Sequence, residues 1–266
     1  MKCNSMKCAF FSPTGTTKTV LQGIADGFAP ESREFIDITK PEARKQPLRV
    51  SKEDLLVVGV PVYMGRVPAL LQEWLQAVQA DNTPTVCVVV YGNRAFENSL
   101  LELGDTLRSR GCVPVAAGAF IGEHSFADSQ RPVALGRPDA QDMAFAMEFG
   151  GKIREKLESG ATLAQIGEVV IPGEHPYAGR TQLWDVDFIA VNGDCVQCGL
   201  CAEVCPVDAV DPEDSSKIDI QRCITCCACI KACPQSARSK KQGPVDDAAN
   251  RLNTLHGDRK SPEYFV

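Results

Sequence analysis

The chain has 266 residues, 44% hydrophobic and 23% charged, proportions that fit one or two folded domains and exclude wholesale disorder. Its net charge of −6 argues against nucleic acid or an anionic membrane as the main partner. The 13 cysteines are unevenly spread: Cys3, Cys8, Cys87 and Cys112 stand alone, and nine crowd between Cys195 and Cys233.

The opening stretch MKCNSMKCAFFSPTG has no long apolar core and no small-residue cleavage site, so it does not read as a secretory signal. The apolar runs LLVVGVPVYMG and VPVAAGAFIG fall short of the ~18 residues of a membrane span. A cytoplasmic location is expected, where thiols stay reduced and clustered cysteines hold metal.

From Met6 to about Gly160, short apolar runs alternate with amphipathic stretches. The runs Lys7–Phe11, Glu34–Ile38, Leu55–Tyr63, Val86–Tyr91 and Val113–Ile121 read as strands buried on both faces of a parallel sheet. After the first comes Ser12-Pro13-Thr14-Gly15-Thr16-Thr17-Lys18, then the helical stretch TVLQGIADGF. Amide and hydroxyl donors at a helix N-terminus make an anion site, although serine and threonine also simply cap helices. The loop is neither a Walker A nor a G-x-G-x-x-G sequence. Val67, Leu70, Leu71, Trp74, Leu75 and Val78 share one helical face and predict a helix over 67–78. Phe145, Phe149, Ile153 and Leu157 predict another, ending at Gly160.

Five strands alternating with helices predict a doubly wound α/β domain over residues 1–160, for which 2-1-3-4-5 is one of the common strand orders. In that order a ligand sits outside the carboxyl ends of the strands, where the loops after strands one, three and four converge. Pro61-Val62-Tyr63-Met64-Gly65-Arg66 and Tyr91-Gly92-Asn93-Arg94 each offer a tyrosine, a glycine and an arginine. Together they predict a slot for a flat heterocycle. The plainer readings are edge packing for the tyrosines and solvated charge for the arginines. His124 follows strand five and reads as a hydrogen-bonded loop histidine. Cys8 and Cys87 lie inside apolar runs and read as inert core thiols.

Residues 161–190 lose the alternation and read as a connector lying against the domains, with Tyr177, Trp184 and Phe188 as its aromatics. A second unit follows over residues 191–240. Cys195, Cys198, Cys201, Cys205 and Pro206 form C-x2-C-x2-C-x3-C-P, and Cys223, Cys226, Cys229, Cys233 and Pro234 repeat it. Three thiolates two residues apart wrap one face of a cubane while loop amides point at its sulfides. Zinc also uses C-x2-C pairs, but it needs neither a third cysteine two residues on nor a doubled C-P. Cys227, beside Cys226, reads as a small packed residue. Residues 241–266 form a tail with a helix near Val245–Leu255.

The doubled run resembles the bacterial two-cluster ferredoxins, whose fourth cysteine in each run ligates the other cluster. By that resemblance one [4Fe-4S] cluster takes Cys195, Cys198, Cys201 and Cys233, and a second takes Cys223, Cys226, Cys229 and Cys205. The first 150 or so residues resemble flavodoxin, whose phosphate loop [ST]-x-T-G-x-T binds FMN. PVYMGRVP, YGNRAFENSLLEL and GEHSF with GRPDAQD extend the likeness, so the whole chain resembles the flavodoxin–ferredoxin fusion proteins called ferrodoxins. The resemblance implies a flavodoxin-like domain followed by a small α+β ferredoxin domain. It implies that Ser12, Thr14, Gly15, Thr16 and Thr17 hold the FMN phosphate, and that Pro61, Tyr63, Gly65, Tyr91, Gly92 and Asn93 flank the isoalloxazine. Lys18 is a departure, standing where flavodoxins often carry an acid.

FMN with two cubanes makes an electron-transfer device, relaying single electrons between an external redox protein and the flavin. Residues 191–240 carry seven acids (Asp194, Glu203, Asp208, Asp211, Glu213, Asp214, Asp219) against five bases (Lys217, Arg222, Lys231, Arg238, Lys240), which favours a partner with a positive patch. A flavin-dependent reductase of a small substrate, fed through the clusters, is the alternative. A sensory protein with an empty flavodoxin-like domain is a third. No acid–base pair or nucleophile–base constellation selects an enzyme.

Overall fold

A computed structural model describes residues 1, 3, 5–179 and 185–266, so Trp184 lies outside the described residues. Five strands, β1 (Ser5–Phe10), β2 (Ser32–Asp37), β3 (Asp54–Pro61), β4 (Thr83–Tyr91) and β5 (Cys112–Ile121), pair in parallel in the order β2-β1-β3-β4-β5. This is the flavodoxin-like doubly wound order. The Val- and Ala-rich runs of β4 and β5 have both faces buried, which is why they do not alternate polar with apolar. β2, at the edge, is exposed to half-buried throughout.

Helices cover both faces. On one, α1 (Thr16–Phe28) and α4 (Ala140–Glu158) lie over a core of Phe10, Leu21, Ile24, Phe120, Phe149 and Ile153. They approach closely because Gly27 and Gly150 have no side chain: a Cβ on Gly27 would lie 1.9 Å from the Met147 carbonyl oxygen, and one on Gly150 2.2 Å from that of Ile24. On the other face lie α2 (Gln72–Gln76) and α3 (Ser99–Arg108) over Phe11, Val58, Trp74, Val89 and Leu103.

The helix predicted over 67–78 is much shorter: a 3-10 turn over Ala69–Leu71 leads into α2. Pro68 bars its predecessor from helical geometry. Beyond α2 the Gln79 amide donates to Leu48 and the Val50 amide to Gln79, drawing the chain into an extended bridge. The periodicity still marked the buried face, since Val67, Leu71, Trp74, Leu75 and Val78 are all buried.

The connector includes a short helix, α5 (Leu163–Ile166), and then hugs the first domain. The Val169 amide donates to Pro114, Val169 and Ile171 are buried in its core, and the Tyr177 hydroxyl bonds Asp105 at 2.7 Å. The second unit opens with β6 (Ile189–Val191), which begins two residues before the expected boundary at 191, and β6 pairs antiparallel with β7 (Arg238–Lys240). Two one-turn helices, α6 (Leu200–Glu203) and α7 (Ala228–Lys231), lie between them.

The last residues rejoin the first domain. After α8 (Pro244–His256), strand β8 (Glu263–Phe265) adds antiparallel to β5, a sixth strand that the sequence did not reveal. The buried Arg137–Asp142 pair anchors this return, because Arg137 also donates to the Lys260 carbonyl at 2.9 Å.

Candidate functional site

The anion loop follows β1 directly. Gly15 starts α1 in the left-handed region (φ 86°), with nothing within 4 Å of where a Cβ would be. The N-cap residue of α1 contributes no side-chain cap and the first turn carries no acid, so the Thr16 and Thr17 amides and the positive dipole end remain available. The Ser12 hydroxyl accepts the Lys18 amide at 3.1 Å, which closes the loop on itself. Thr17 is buried, and its hydroxyl has no partner among the described residues. A buried hydroxyl with no partner costs about 1–3 kcal/mol, and a phosphate oxygen in this loop would satisfy it. The chemistry of these residues therefore fits an FMN phosphate.

From this loop a cavity runs over the carboxyl ends of β3, β4 and β5. Ser12, Thr14, Thr16, Thr17, Pro61, Tyr63, Tyr91 and Gly92 line it. Gly15 sits instead at a neighbouring recess, and Gly65 lines a second, larger cavity that continues outward from the first. Asn93 lines neither: its buried amide donates at 2.7 Å to both the His256 and Asp258 carbonyls, fixing the end of α8. The arginines are also engaged. Arg66 makes a two-point pair with Glu102 at 2.8 Å and lies over the Tyr177 ring, and Arg94 pairs with Glu97 at 2.6 Å.

His124 lines both cavities. Its Nδ1 accepts the Phe126 amide at 3.0 Å, so the neutral ring carries its proton on Nε2. Burial, then Lys231, Lys240, Arg94 and His256, lowers its pKa to about 4. The hydrogen-bonded loop histidine is therefore also a neutral donor at the cavity wall. Ile224 and Thr225, between Cys223 and Cys226, complete the inner cavity, and no local pattern marked them. Burial foremost, then Cys226 and Cys227, pushes the Tyr63 phenol well above its usual pKa.

The two cysteine runs have matching backbones. Gln197 and Thr225 (φ 55° and 53°), Gly199 and Cys227 (75° and 59°), and Asp208 and Ser236 (50° and 51°) are left-handed at equivalent places. Such turns aim successive amides inward, as a cluster-binding loop requires. The Ala209 amide donates to Cys205 Sγ at 3.2 Å, and the equivalent Ala237 amide donates to Cys233 Sγ at 3.3 Å. A nearly wholly apolar cavity is lined by Cys205, Cys223, Cys226 and Cys229, with Cys227 beside them. Of the remaining four, Cys201 is buried, Cys195 and Cys233 are half-buried and Cys198 is exposed. Among the described residues, no three His, Cys, Asp or Glu side chains converge on a single metal ion. A cubane, which spreads its thiolates over four corners, suits the cysteine-lined cavity better. Among the other thiols, burial pushes Cys8 up to about 12 and Cys87 higher still, as inert core cysteines require.

Residues 188–250 match the 4Fe-4S dicluster domain. The chain thus joins a flavodoxin-like domain to a ferredoxin-type iron–sulfur domain. Among solved structures it is similar to a flavodoxin from the domain Archaea (16% identity, 58% of this chain and 99% of that one, TM-score 0.40). It is also similar to a Fusobacterium nucleatum flavodoxin bound to flavin mononucleotide (12%, 58% and 97%, 0.37). A third likeness is to an NADH:FMN oxidoreductase in apo form (17%, 59% and 92%, 0.39). No curated protein matches the chain.

The iron–sulfur unit is docked on the rim of the flavodoxin-like sheet. Lys40 donates to the Cys205 carbonyl at 3.0 Å and Arg44 to that of Pro206 at 2.9 Å. Lys231 pairs with Glu123, Arg131 with Asp246, and Lys240 with Asp128 at 2.7 Å. Among the described residues, no helix is long and apolar enough to cross a membrane.

Proposed function

We propose that the protein is a cytoplasmic electron-transfer iron–sulfur flavoprotein, relaying single electrons between an external redox protein and FMN through two [4Fe-4S] clusters. Cys195, Cys198, Cys201 and Cys233 would hold one cluster, and Cys223, Cys226, Cys229 and Cys205 the other. Ser12, Thr14, Gly15, Thr16 and Thr17 would hold the FMN phosphate, with Pro61, Tyr63, Gly65, Tyr91 and Gly92 beside the ring. Asn93 would act through the backbone that it fixes. Bound FMN takes one or two electrons, whereas each cluster passes one at a time.

The observation that carries this reading is the wall shared by the two sites. Ile224 and Thr225 belong to the loop of the second cysteine run, and they line the cavity that begins at Thr17. The cluster of that run would therefore neighbour the flavin within one chain. The first run, with its exposed Cys198, would face the partner.

Charge supports the choice of partner. Lys231 and Lys240 are paired across the domain contact, and Arg238 is buried. The exposed surface of the unit keeps five acids, Asp194, Glu203, Asp208, Glu213 and Asp219, against two bases, Lys217 and Arg222. Such a face attracts a basic partner and repels an acidic one.

Anaerobic purification followed by iron, sulfide and flavin assays tests the reading. Eight irons and one FMN per chain are expected, as about two cubanes demand. Zinc in place of iron, or no flavin after soaking with FMN, would overturn it.

A further inference from the structure

The second cavity has a volume of about 530 Å³, against about 120 Å³ for the inner slot, so a flavin ring beside Gly65, Tyr91 and Gly92 would take up part of it. It joins the inner slot through shared walls, among them Val62, Tyr91, Gly92, His124 and Phe126. Its outer wall comes from α8, which follows the cysteine runs and presents Ala248, Arg251, Leu252, Leu255 and His256. This wall is anchored at both ends: Asn93 holds the carbonyls of His256 and Asp258, and Arg131 pairs with Asp246 in the first turn of α8.

The wall groups favour an anion. Arg251 has no ion-pair partner among the described residues, while Arg94 is matched by Glu97. His124 is neutral with a proton on Nε2, and burial, then Lys260 and Arg94, lowers the pKa of His256. The charges at the wall therefore sum to one net positive, beside the apolar surfaces of Val62, Tyr91, Phe126 and Leu252. Cations beside an apolar wall suit a flat carboxylate: the ring packs on the aromatics and the oxygens take the guanidinium.

We propose that the α8 side of this outer cavity, beyond the rim of Gly65, Tyr91 and Gly92 where the flavin ring would lie, binds a small organic carboxylate, with Arg251 as its charged anchor and α8 as its fixed wall. The placement beside the slot rests on the FMN reading above; the cavity and its anchor belong to the chain alone.

Benzoate is a suitable probe and benzamide its neutral control, titrated by calorimetry into the full chain purified with its own cofactors. Benzoate is expected to bind saturably and to perturb the flavin absorption band, with benzamide at least about tenfold weaker. Arg251→Ala should weaken benzoate by about tenfold or more, and Arg251→Lys should recover part of the loss, with FMN content unchanged in both. No benzoate heat, equal binding of benzamide, or unaltered binding to Arg251→Ala would each overturn the proposal. So would loss of FMN from Arg251→Ala without benzoate binding to the parent, because the cation would then serve the flavin. Arg251-dependent benzoate binding to a chain that holds no FMN would leave the anion site standing and remove the flavin reading instead.

Discussion

Cys227 occupies in the second cysteine run the position that Gly199 occupies in the first, and both are left-handed, at φ 59° and 75°. The loop thus demands a conformation that glycine adopts freely and cysteine at a cost of about 1–2 kcal/mol. The side chain is buried beside Cys226, so packing offsets part of the strain. Cys227→Gly should keep the full iron and sulfide content and stability within about 1 kcal/mol of the parent. Cys226→Ser should lose iron. Metal and sulfide assays on the two variants check the contrast; iron loss in Cys227→Gly would make Cys227 a ligand.

Thr17 gives a prediction with opposite signs in two states. Its buried hydroxyl has no partner among the described residues, so Thr17→Val should stabilise the flavin-free protein by about 1 kcal/mol. The same change should weaken FMN by about tenfold, since a charge-assisted hydrogen bond to phosphate is lost. Thermal denaturation without flavin and fluorescence titration with FMN read the two effects separately.

The α1–α4 contact has no room for a methyl group. Gly27→Ala places a carbon against the Met147 backbone, which cannot turn aside as a side chain would. The expected cost is about 1–3 kcal/mol from overpacking, larger than the gain in helix propensity. Gly151 lies on α4, the helix of Met147, with nothing near its Cβ position, so Gly151→Ala should be neutral or stabilising. Denaturation midpoints of the two variants make the comparison.

His124 should make the protein acid-sensitive. Its folded pKa is lowered from 6.5 to about 4, chiefly by burial, so the unfolded chain binds this proton at a higher pH than the folded one. The term is absent above pH 6.5, destabilises progressively from there down to about 4, and levels off below. At pH 5.5 it amounts to about 1 kcal/mol. Denaturation at pH 7.5 and 5.5 should show a larger drop for the parent than for His124→Gln, and NMR should find His124 neutral at pH 5.5. Equal drops would refute the assignment.

Much of the architecture was legible in the sequence because its signals are local. Continuous apolar runs mark strands buried on both faces, as β3, β4 and β5 are, and all five parallel strands overlap the expected runs. The edge strand β2, read the same way from Glu34–Ile38, is instead exposed to half-buried because it pairs only with β1. Two-residue cysteine spacing is likewise a property of a single loop, which is why the iron–sulfur unit could be read from spacing alone. Local signals also misled. Val67–Val78 has a helical period but holds only a short helix, because Pro68 and the bridge at Gln79 confine it. The three residues of β8 were illegible, since so short a strand is defined by the edge that it joins.

What the sequence determined by itself was chemistry within each loop: hydroxyls and a glycine ahead of α1, and eight thiols at cubane spacing. Which loops meet was decided only by the tertiary structure. Ile224 and Thr225 reach the cavity of Thr17, and Arg251 reaches that of His124, because surfaces far apart in the chain pack and pair at the rim of the sheet. Lys231 with Glu123 and Lys240 with Asp128 hold that contact, and neither pair can be recognised until the chain has folded. Spacing along a chain encodes a binding loop; proximity between loops arises only from the burial and charge pairing that bring distant segments together.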